Sequence, residues 1–311
     1  MGILQIKDLE KNYGTVKAVD GINLEIMEGE IFGLLGPNGA GKSTMINIIC
    51  GLLRKDRGEV IVFDNDIDTD LSQAKGNLGI IPQDVAIYED LTAYENVKFF
   101  ASLYGLKGKL LKERVIEALE FVGLEDRAKE YPKNFSGGMK RRLNIACAIA
   151  HHPKLIIMDE PTVGIDPQSR NHILSSVKKL NQLGSTIIYT THYMEEVEAI
   201  CTRVGIIDHG KVIACGSIPE LQNLISDRKT IEIVTDLGIQ LNTNELANIK
   251  GILNVSLIEN KISIEMLKES DNIGEISLYL KENNVPIRSM GMNSISLERI
   301  FLSLTGRRLR D

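Results

Sequence analysis

Ile31-Phe32-Gly33-Leu34-Leu35-Gly36-Pro37-Asn38-Gly39-Ala40-Gly41-Lys42-Ser43-Thr44 is the stretch on which the fold turns. Ile31–Leu35 is a continuous apolar run that stops at Gly36, which suits a short buried strand feeding a loop. Gly36–Thr44 then fits the pattern G-x-x-x-x-G-K-[ST], and a helical run, Met45–Leu53, follows. Glycines let successive backbone N–H groups turn inward around phosphate oxygens, and a helix N-terminus adds positive dipole. Lys42 is placed to reach the β- and γ-phosphates of a nucleotide, and Ser43 to ligate Mg²⁺. A chance glycine-rich turn would need strand, complete motif and helix to coincide.

Outward from this loop, Ile22, Leu24 and Ile26 alternate with polar residues, as a half-buried strand does. Leu155–Met158 is a second apolar run and ends in Asp159-Glu160; Thr186–Tyr189 is a third and ends in Thr190-Thr191-His192. Helical patterns lie between the runs, which predicts an α/β domain whose strands gather chemistry at their C-terminal ends. An Asp at such an end can hold Mg²⁺ through water, as in other P-loop NTPases. The neighbouring Glu can orient or deprotonate an attacking water. Alone, an Asp-Glu pair is more often a solvated turn; the upstream phosphate loop reverses that weighting.

Asp84–Ala150 reads mostly as helix, with Leu103, Val115, Leu119 and Val122 as candidate buried positions. Val204–Ile207 and Lys211–Cys215 flank Asp208-His209-Gly210, a hairpin turn, and Ser217–Asp227 reads as a helix and linker. From Lys229 the pattern changes. Alternating runs around Ile231 and Ile233, Leu253–Leu257 and Ile262–Met266, with a further strand over Pro286–Met290, are separated by helical stretches Asn242–Lys250 and Ser270–Glu282. The order β-α-β-β-α-β resembles a split βαβ, ferredoxin-like unit, followed by a helical stripe of Leu297, Ile300, Phe301 and Leu304.

Composition sets limits. The chain has 311 residues, 43% of them apolar, enough for one large domain and a small one. A net charge of −6 argues against a broad basic surface, so no nucleic-acid partner is expected. No apolar run approaches the roughly 18–20 residues of a membrane span, and Met1–Lys7 has no signal-peptide core, so a membrane role needs an integral partner. Cys50, Cys147, Cys201 and Cys215 fit no metal or disulfide spacing and are expected to be reduced residues in or near the core.

Asn134-Phe135-Ser136-Gly137-Gly138-Met139-Lys140-Arg141-Arg142 resembles the signature motif of the ATP-binding-cassette (ABC) family. It lies between the phosphate loop and the strand ending Asp159-Glu160-Pro161, where that family carries it. The resemblance covers about residues 3–220. By it, Tyr13 matches the aromatic residue that stacks on adenine, Gln83 the Q-loop glutamine, Gly164-Ile165-Asp166 the D-loop, and His192 the switch histidine. Two residues depart from the common signature: Phe135 stands for Leu and Met139 for Gln. Ser136, Gly137 and Gly138 are retained, and their hydroxyl and N–H groups suit a γ-phosphate held by another subunit. Out of context, Ser-Gly-Gly reads as an ordinary helix N-cap. The Phe-Ser-Gly-Gly-Met-Lys-Arg-Arg-Leu form and the tail Leu297–Arg307 look like the drug-resistance branch of ABC-2 type exporters. The runs Lys140-Arg141-Arg142 and Arg307-Arg308-Arg310 read as solvated or helix-terminal charge.

The resemblance implies a P-loop cassette of α/β class over residues 1–223, with a mixed sheet core and a helical signature subdomain at about 84–150. A small α+β domain, residues 224–311, follows. It implies ATP and Mg²⁺ as ligands. Glu160, His192 and Gln83 are the catalytic group, Ser43, Gln83 and Asp159 the metal group, and Tyr13, Gly36–Thr44 and Ser136–Gly138 the nucleotide contacts. Implied partners are a second ATP-binding subunit, either another copy in a homodimer or a relative, and an integral permease at the cytoplasmic face of the cell membrane. The competing function is a soluble ABC ATPase acting on chromosomes or ribosomes. The interval Thr44–Ser136 leaves no room for the coiled coil of the first kind, and ribosome-type members usually carry two cassettes in one chain. A non-catalytic cassette is opposed by Lys42, Asp159, Glu160 and His192.

Overall fold

The computed structural model describes residues 2–225, 228–239, 241–267, 269–293 and 296–306. The end of the Ser217–Asp227 linker and the tail arginines Arg307, Arg308 and Arg310 lie outside the described residues. The chain divides into two compact units, the first ending at Ile218 and the second spanning Pro219–Gly306.

The first unit opens with β1 (Gly2–Tyr13) and β2 (Val16–Met27), then β3 (Ile31–Leu35), α1 (Lys42–Ile49), β4 (Arg57–Val62), β5 (Asn65–Asp66), α2 (Leu71–Lys75) and β6 (Leu78–Ile81). The helical stretch is α3 (Ala93–Leu103), α4 (Gly108–Phe121) and α5 (Gly137–Ile149). It is followed by β7 (Leu155–Asp159), α6 (Pro167–Gln182), β8 (Thr186–Thr190), α7 (Met194–Ile200), β9 (Arg203–Asp208) and β10 (Lys211–Gly216). Strands β2-β1-β4-β5 form an antiparallel sheet, and β10-β9-β3-β8-β7-β6 form a second, parallel except for the β9–β10 hairpin.

The apolar runs are continuous because the second sheet is covered on both faces. Phe32, Leu34, Leu155, Ile157 and Ile188 pack into a core with Leu4, Ile26 and Ile48. The alternate residues Ile31, Ile156, Met158, Ile187 and Tyr189 pack into another with Val97, Val115, Leu119, Leu143 and Val177. The period of two along each strand thus divides one hydrophobic run between two cores.

Several local expectations shift. Helix α1 begins at Lys42, three residues before Met45, and stops at Ile49 rather than Leu53, because Gly51 at φ 63 carries the chain out of the helix. Leu103 is 66% exposed at the end of α3 and is not a core residue; Val115, Leu119 and Val122 are buried. Residues 84–92 are not helical. Their backbone is held by the buried Asn96 side chain, which bonds Tyr88 N and O, Leu91 O and Thr92 O. Cys50 and Cys147 are buried, but Cys215 is exposed, because it points outward from β10.

Helix α8 (Ile218–Ile225) leads into the second unit: β11 (Arg228–Val234), α9 (Thr243–Ala247), β12 (Ile252–Ile258), β13 (Lys261–Leu267), α10 (Ile273–Glu282), β14 (Ser289–Asn293) and α11 (Leu297–Thr305). The strands pair antiparallel in the order β12-β13-β11-β14, the arrangement of a split βαβ unit. Ile231, Ile233, Ile262, Ile264 and Met266 pack with Leu246, Ile276 and Leu280. Strand β14 starts three residues after Pro286, which has no N–H to give to a ladder. In α11, Leu297, Ile300 and Phe301 are already fully buried within the chain and only Leu304 is exposed, so the stripe presents no free apolar face.

Candidate functional site

The loop between β3 and α1 is fixed by what surrounds it. A Cβ on Gly36 would lie 2.4 Å from Ile207 O, and one on Gly41 would lie 2.2 Å from Ala18 O. Gly41 also has φ 105, so only glycine fits. The hairpin turn before β10 locks the loop: Gly210 N donates to Ala40 O at 3.0 Å, and Gly210 O accepts from Asp20 N at 2.9 Å. Lys42 is 8% exposed and its Nζ donates to Gly36 O at 2.6 Å and Pro37 O at 3.0 Å. Burial lowers its pKa, opposed by the carboxylates of Glu160 and Asp159. A cation so held is arched over the cradle its own loop forms.

The acidic pair closes the far side. Ser43 Oγ lies 3.4 Å from Asp159 Oδ2, and Thr190 Oγ1 donates to Asp159 Oδ1 at 2.6 Å. The next residue, Glu160, is a non-glycine at φ 46, a costly conformation held by its N–H donating to Thr190 O at 3.2 Å and Thr190 Oγ1 at 2.8 Å. That turn aims its carboxylate back toward Gln83 and His192. Gln83 Nε2 is 3.4 Å and His192 Nδ1 3.5 Å from the same oxygen, Glu160 Oε2. Two residues from two other strand ends therefore meet on the Glu160 carboxylate. Ser43 and Asp159 are hard oxygen donors placed side by side, a set suited to Mg²⁺ with phosphate and water completing the shell.

A second glycine-rich helix entry lies at α5. Ser136 caps the helix, its Oγ accepting from Met139 N at 3.3 Å, so the plain N-cap role is present. Ser136 and Gly137 are exposed. A Cβ on Gly137 would meet nothing within 4 Å, whereas one on Gly138 would strike Ser169 Oγ at 2.2 Å. Ser169 belongs to α6, whose N-cap is Asp166, accepting from Ser169 N at 2.9 Å. The signature turn and the Gly164-Ile165-Asp166 segment thus pack together at glycine distance.

A model of the "ABC transporter" family matches residues 19–163. The chain is 45% identical over 313 residues to the linearmycin resistance ATP-binding protein LnrL of Bacillus subtilis, covering 99% of this chain and 100% of that protein. It is 35% identical over 318 residues to the Nod factor export ATP-binding protein I of Cupriavidus metallidurans, covering 99% of each. The chain belongs to the ABC transporter family. It is an ATP-binding subunit of that family and an ABC-type ATPase. Among solved structures, the dimeric post-hydrolysis cassette MJ0796 bound to ADP and Pi matches with a TM-score of 0.63 and 30% identity, covering 69% of this chain and 98% of that one.

Of the cassette's expected residues, Lys42, Ser43, Asp159, Glu160, Gln83 and His192 are brought together through the contacts above. Tyr13 ends β1, paired with Val16, two residues before the Ala18 carbonyl that abuts the loop; its ring is exposed, with Lys11 Nζ 5.9 Å from its centre. Ser136 and Gly137 make no contact with the Lys42–Glu160 group among the described residues. Three residues with clear roles escaped the sequence. Thr190 ties Asp159 to Glu160, and its only signal was its place just before Thr191-His192. Buried Glu196 accepts from Thr162 Oγ1 and Tyr189 OH at 2.9 Å and from Thr191 Oγ1 at 3.0 Å, with Arg170 Nε at 3.5 Å. Arg141, expected to be solvated, is 3% exposed. It falls on the inward face of α5, three residues after Gly138 and four before Ile145, so helical periodicity places it there.

Proposed function

We propose that this chain binds ATP with Mg²⁺ on its own Gly36–Thr44 loop and hydrolyses it only when the Ser136–Gly138 turn of a second cassette covers the γ-phosphate. The convergence of Gln83 and His192 on Glu160, beside Lys42, supports the hydrolytic half. On binding, Lys42 exchanges the carbonyls of Gly36 and Pro37 for β- and γ-phosphate oxygens. The Ser43 hydroxyl and Asp159 carboxylate would hold Mg²⁺, which supplies charge neutralisation at those phosphates. Glu160 takes the proton of the attacking water, while Gln83 and His192 orient it. Tyr13 stacks on adenine.

ATP binding closes the pair of cassettes, and hydrolysis with product release reopens it. Residues 1–223 form the cassette and 224–311 an accessory domain with no part in the chemistry. No helix among the described residues is long and apolar enough to cross a membrane. The motion passes to an integral permease, with the cassette peripheral at its cytoplasmic face, as the family resemblance implies. The printed roles of the relatives, resistance and Nod factor export, favour export as the direction. A homodimer is the simplest arrangement.

Glu160→Gln tests the division of labour. It keeps the side chain's shape and removes the base, so hydrolysis should fall by about 10²–10⁴-fold while ATP still binds. With the product stalled, a closed dimer should build up on size exclusion in ATP. A variant that hydrolyses normally, or stays monomeric in saturating ATP, contradicts the role.

A further inference from the structure

The segment 82–92 carries Gln83 and has no regular structure of its own. It is held instead by side chains from two helices. Asn96 of α3 fixes its far end, as described above. Its near end is gripped from α5: Arg141 Nη1 donates to Pro82 O at 2.6 Å and Nη2 to Gln83 O, and Lys140 Nζ pairs with Glu89 Oε1. A planar fork on two successive carbonyls fixes the peptide plane between them, and with it the direction in which the Gln83 side chain leaves the backbone.

This grip is a demanding one. The guanidinium is buried and its Nε has no hydrogen-bond partner. Burying a charge is unfavourable unless it is hydrogen-bonded and paired, and here the two carbonyls and the nearby charges of Asp84 and Asp159 are what offset the cost. The same helix begins at Ser136, five residues or about 7.5 Å earlier along its axis. A single rigid rod therefore has the exposed signature turn at one end and the anchor of Gln83 one turn further on. Gln83 in turn reaches Glu160 Oε2.

We propose that Arg141 is a positioning residue that makes the placement of Gln83 against Glu160 depend on where the α5 N-terminus sits, so that engagement of the signature turn by the partner's nucleotide sets the geometry of the chain's own site. The proposal rests on the reading that Ser136–Gly138 meets the partner's ATP. Under it, the two sites of a dimer are coupled through Arg141 in each chain, and hydrolysis is cooperative in ATP.

The test uses the purified full-length chain with Mg²⁺ and ATP. Hydrolysis is measured against ATP concentration, and nucleotide affinity separately by titration. Arg141→Met should lower kcat by about 10–10²-fold, as misplacement of a catalytic group does, and bring the Hill coefficient down to about 1. ATP affinity should stay within about twofold, since Lys42 and its loop are untouched. Arg141→Lys, whose shorter side chain ends in a point ammonium without the planar fork, should fall between Arg141→Met and the unaltered chain. A merely structural anchor would lower the melting temperature and leave the kcat and Hill values of the folded fraction unchanged, and that result overturns the proposal. Should Arg141→Met not fold, Arg141→Lys decides alone: wild-type kcat and cooperativity would overturn it. Ser136→Arg separates the two layers. If Ser136→Arg remains cooperative, the composite-site reading fails; if it loses cooperativity while Arg141→Met keeps it, the coupling through Arg141 alone fails.

Discussion

At the N-terminus of α1 the chain packs its loop against its own neighbours, with Asn38, Gly39 and Ser43 left open to solvent. Gly36 and Gly41 lie against Ile207 O and Ala18 O, Gly210 bolts the loop from the neighbouring hairpin, and Lys42 folds back onto two of the loop's own carbonyls. The N-terminus of α5 is built on the same residue types, with another outcome. Gly138 is as confined as Gly41, against Ser169, but Ser136 and Gly137 stand in the open. The first glycine set shapes a cradle that this chain completes with Asp159, Glu160, Gln83 and His192. The second shapes a rim, and the group it would serve is not among its own neighbours. On the function proposed above, the difference is that of two halves of different sites carried by one chain.

The largest effect should come from the packed half. Lys42→Ala removes the only lysine of the motif, and hydrolysis should become unmeasurable, with nucleotide binding weakened in a titration. Wild-type affinity and turnover in that variant would show that the loop is not the cradle.

The two signature glycines sharpen the comparison within the open half. Gly138→Ala forces a Cβ into Ser169, so overpacking of about 1–3 kcal/mol should lower the melting temperature by several degrees. Gly137→Ala meets no protein atom within 4 Å and should leave the melting temperature unchanged, yet cut hydrolysis about tenfold or more by crowding the donors proposed to face the partner's phosphate. Thermal melts and steady-state rates on both variants check this. Equal effects of the two on both measurements would erase the distinction.

The smallest effect concerns the far end of α5. His151 stacks on Tyr104 with ring centres 3.5 Å apart, and its Nε2 lies 3.0 Å from Leu78 O. Burial pushes its pKa down from 6.5 to about 4. The folded chain therefore keeps this imidazole neutral where the unfolded chain protonates it. The stability this provides is present above about pH 6.5 and is lost as pH falls toward about 4, at most about 3 kcal/mol. Melting temperature followed from pH 7.5 to 4.5 should fall less steeply in His151→Gln than in the unaltered chain. Parallel slopes would remove His151 as the cause.

The packed half was legible in the sequence because its constraints are local. A strand needs a short apolar run, the loop needs glycines at set positions, and the acids follow directly at strand ends, so Ile31–Thr44 and Leu155–Glu160 announce themselves. The order of the second unit was legible for the same reason, since Ile262, Ile264 and Met266 alternate with the ladder they build. What escaped depended on contacts between distant segments. Arg141 looked like one of three solvated charges because its acceptors, the Pro82 and Gln83 carbonyls, lie nearly sixty residues away. Thr190 and Glu196 looked like ordinary polar residues until β7, β8 and α7 were side by side. The apolar stripe of α11 was visible, but not that the chain itself buries Leu297, Ile300 and Phe301.

The central claim is that each ATP site is shared between two chains. A mixed dimer carrying Ser136→Arg on one chain and Lys42→Ala on the other tests it most directly. If the sites are shared, both lesions fall in one site and the opposite site is chemically intact, so nucleotide should fill a single site per dimer. Equal occupancy of both sites would contradict the account.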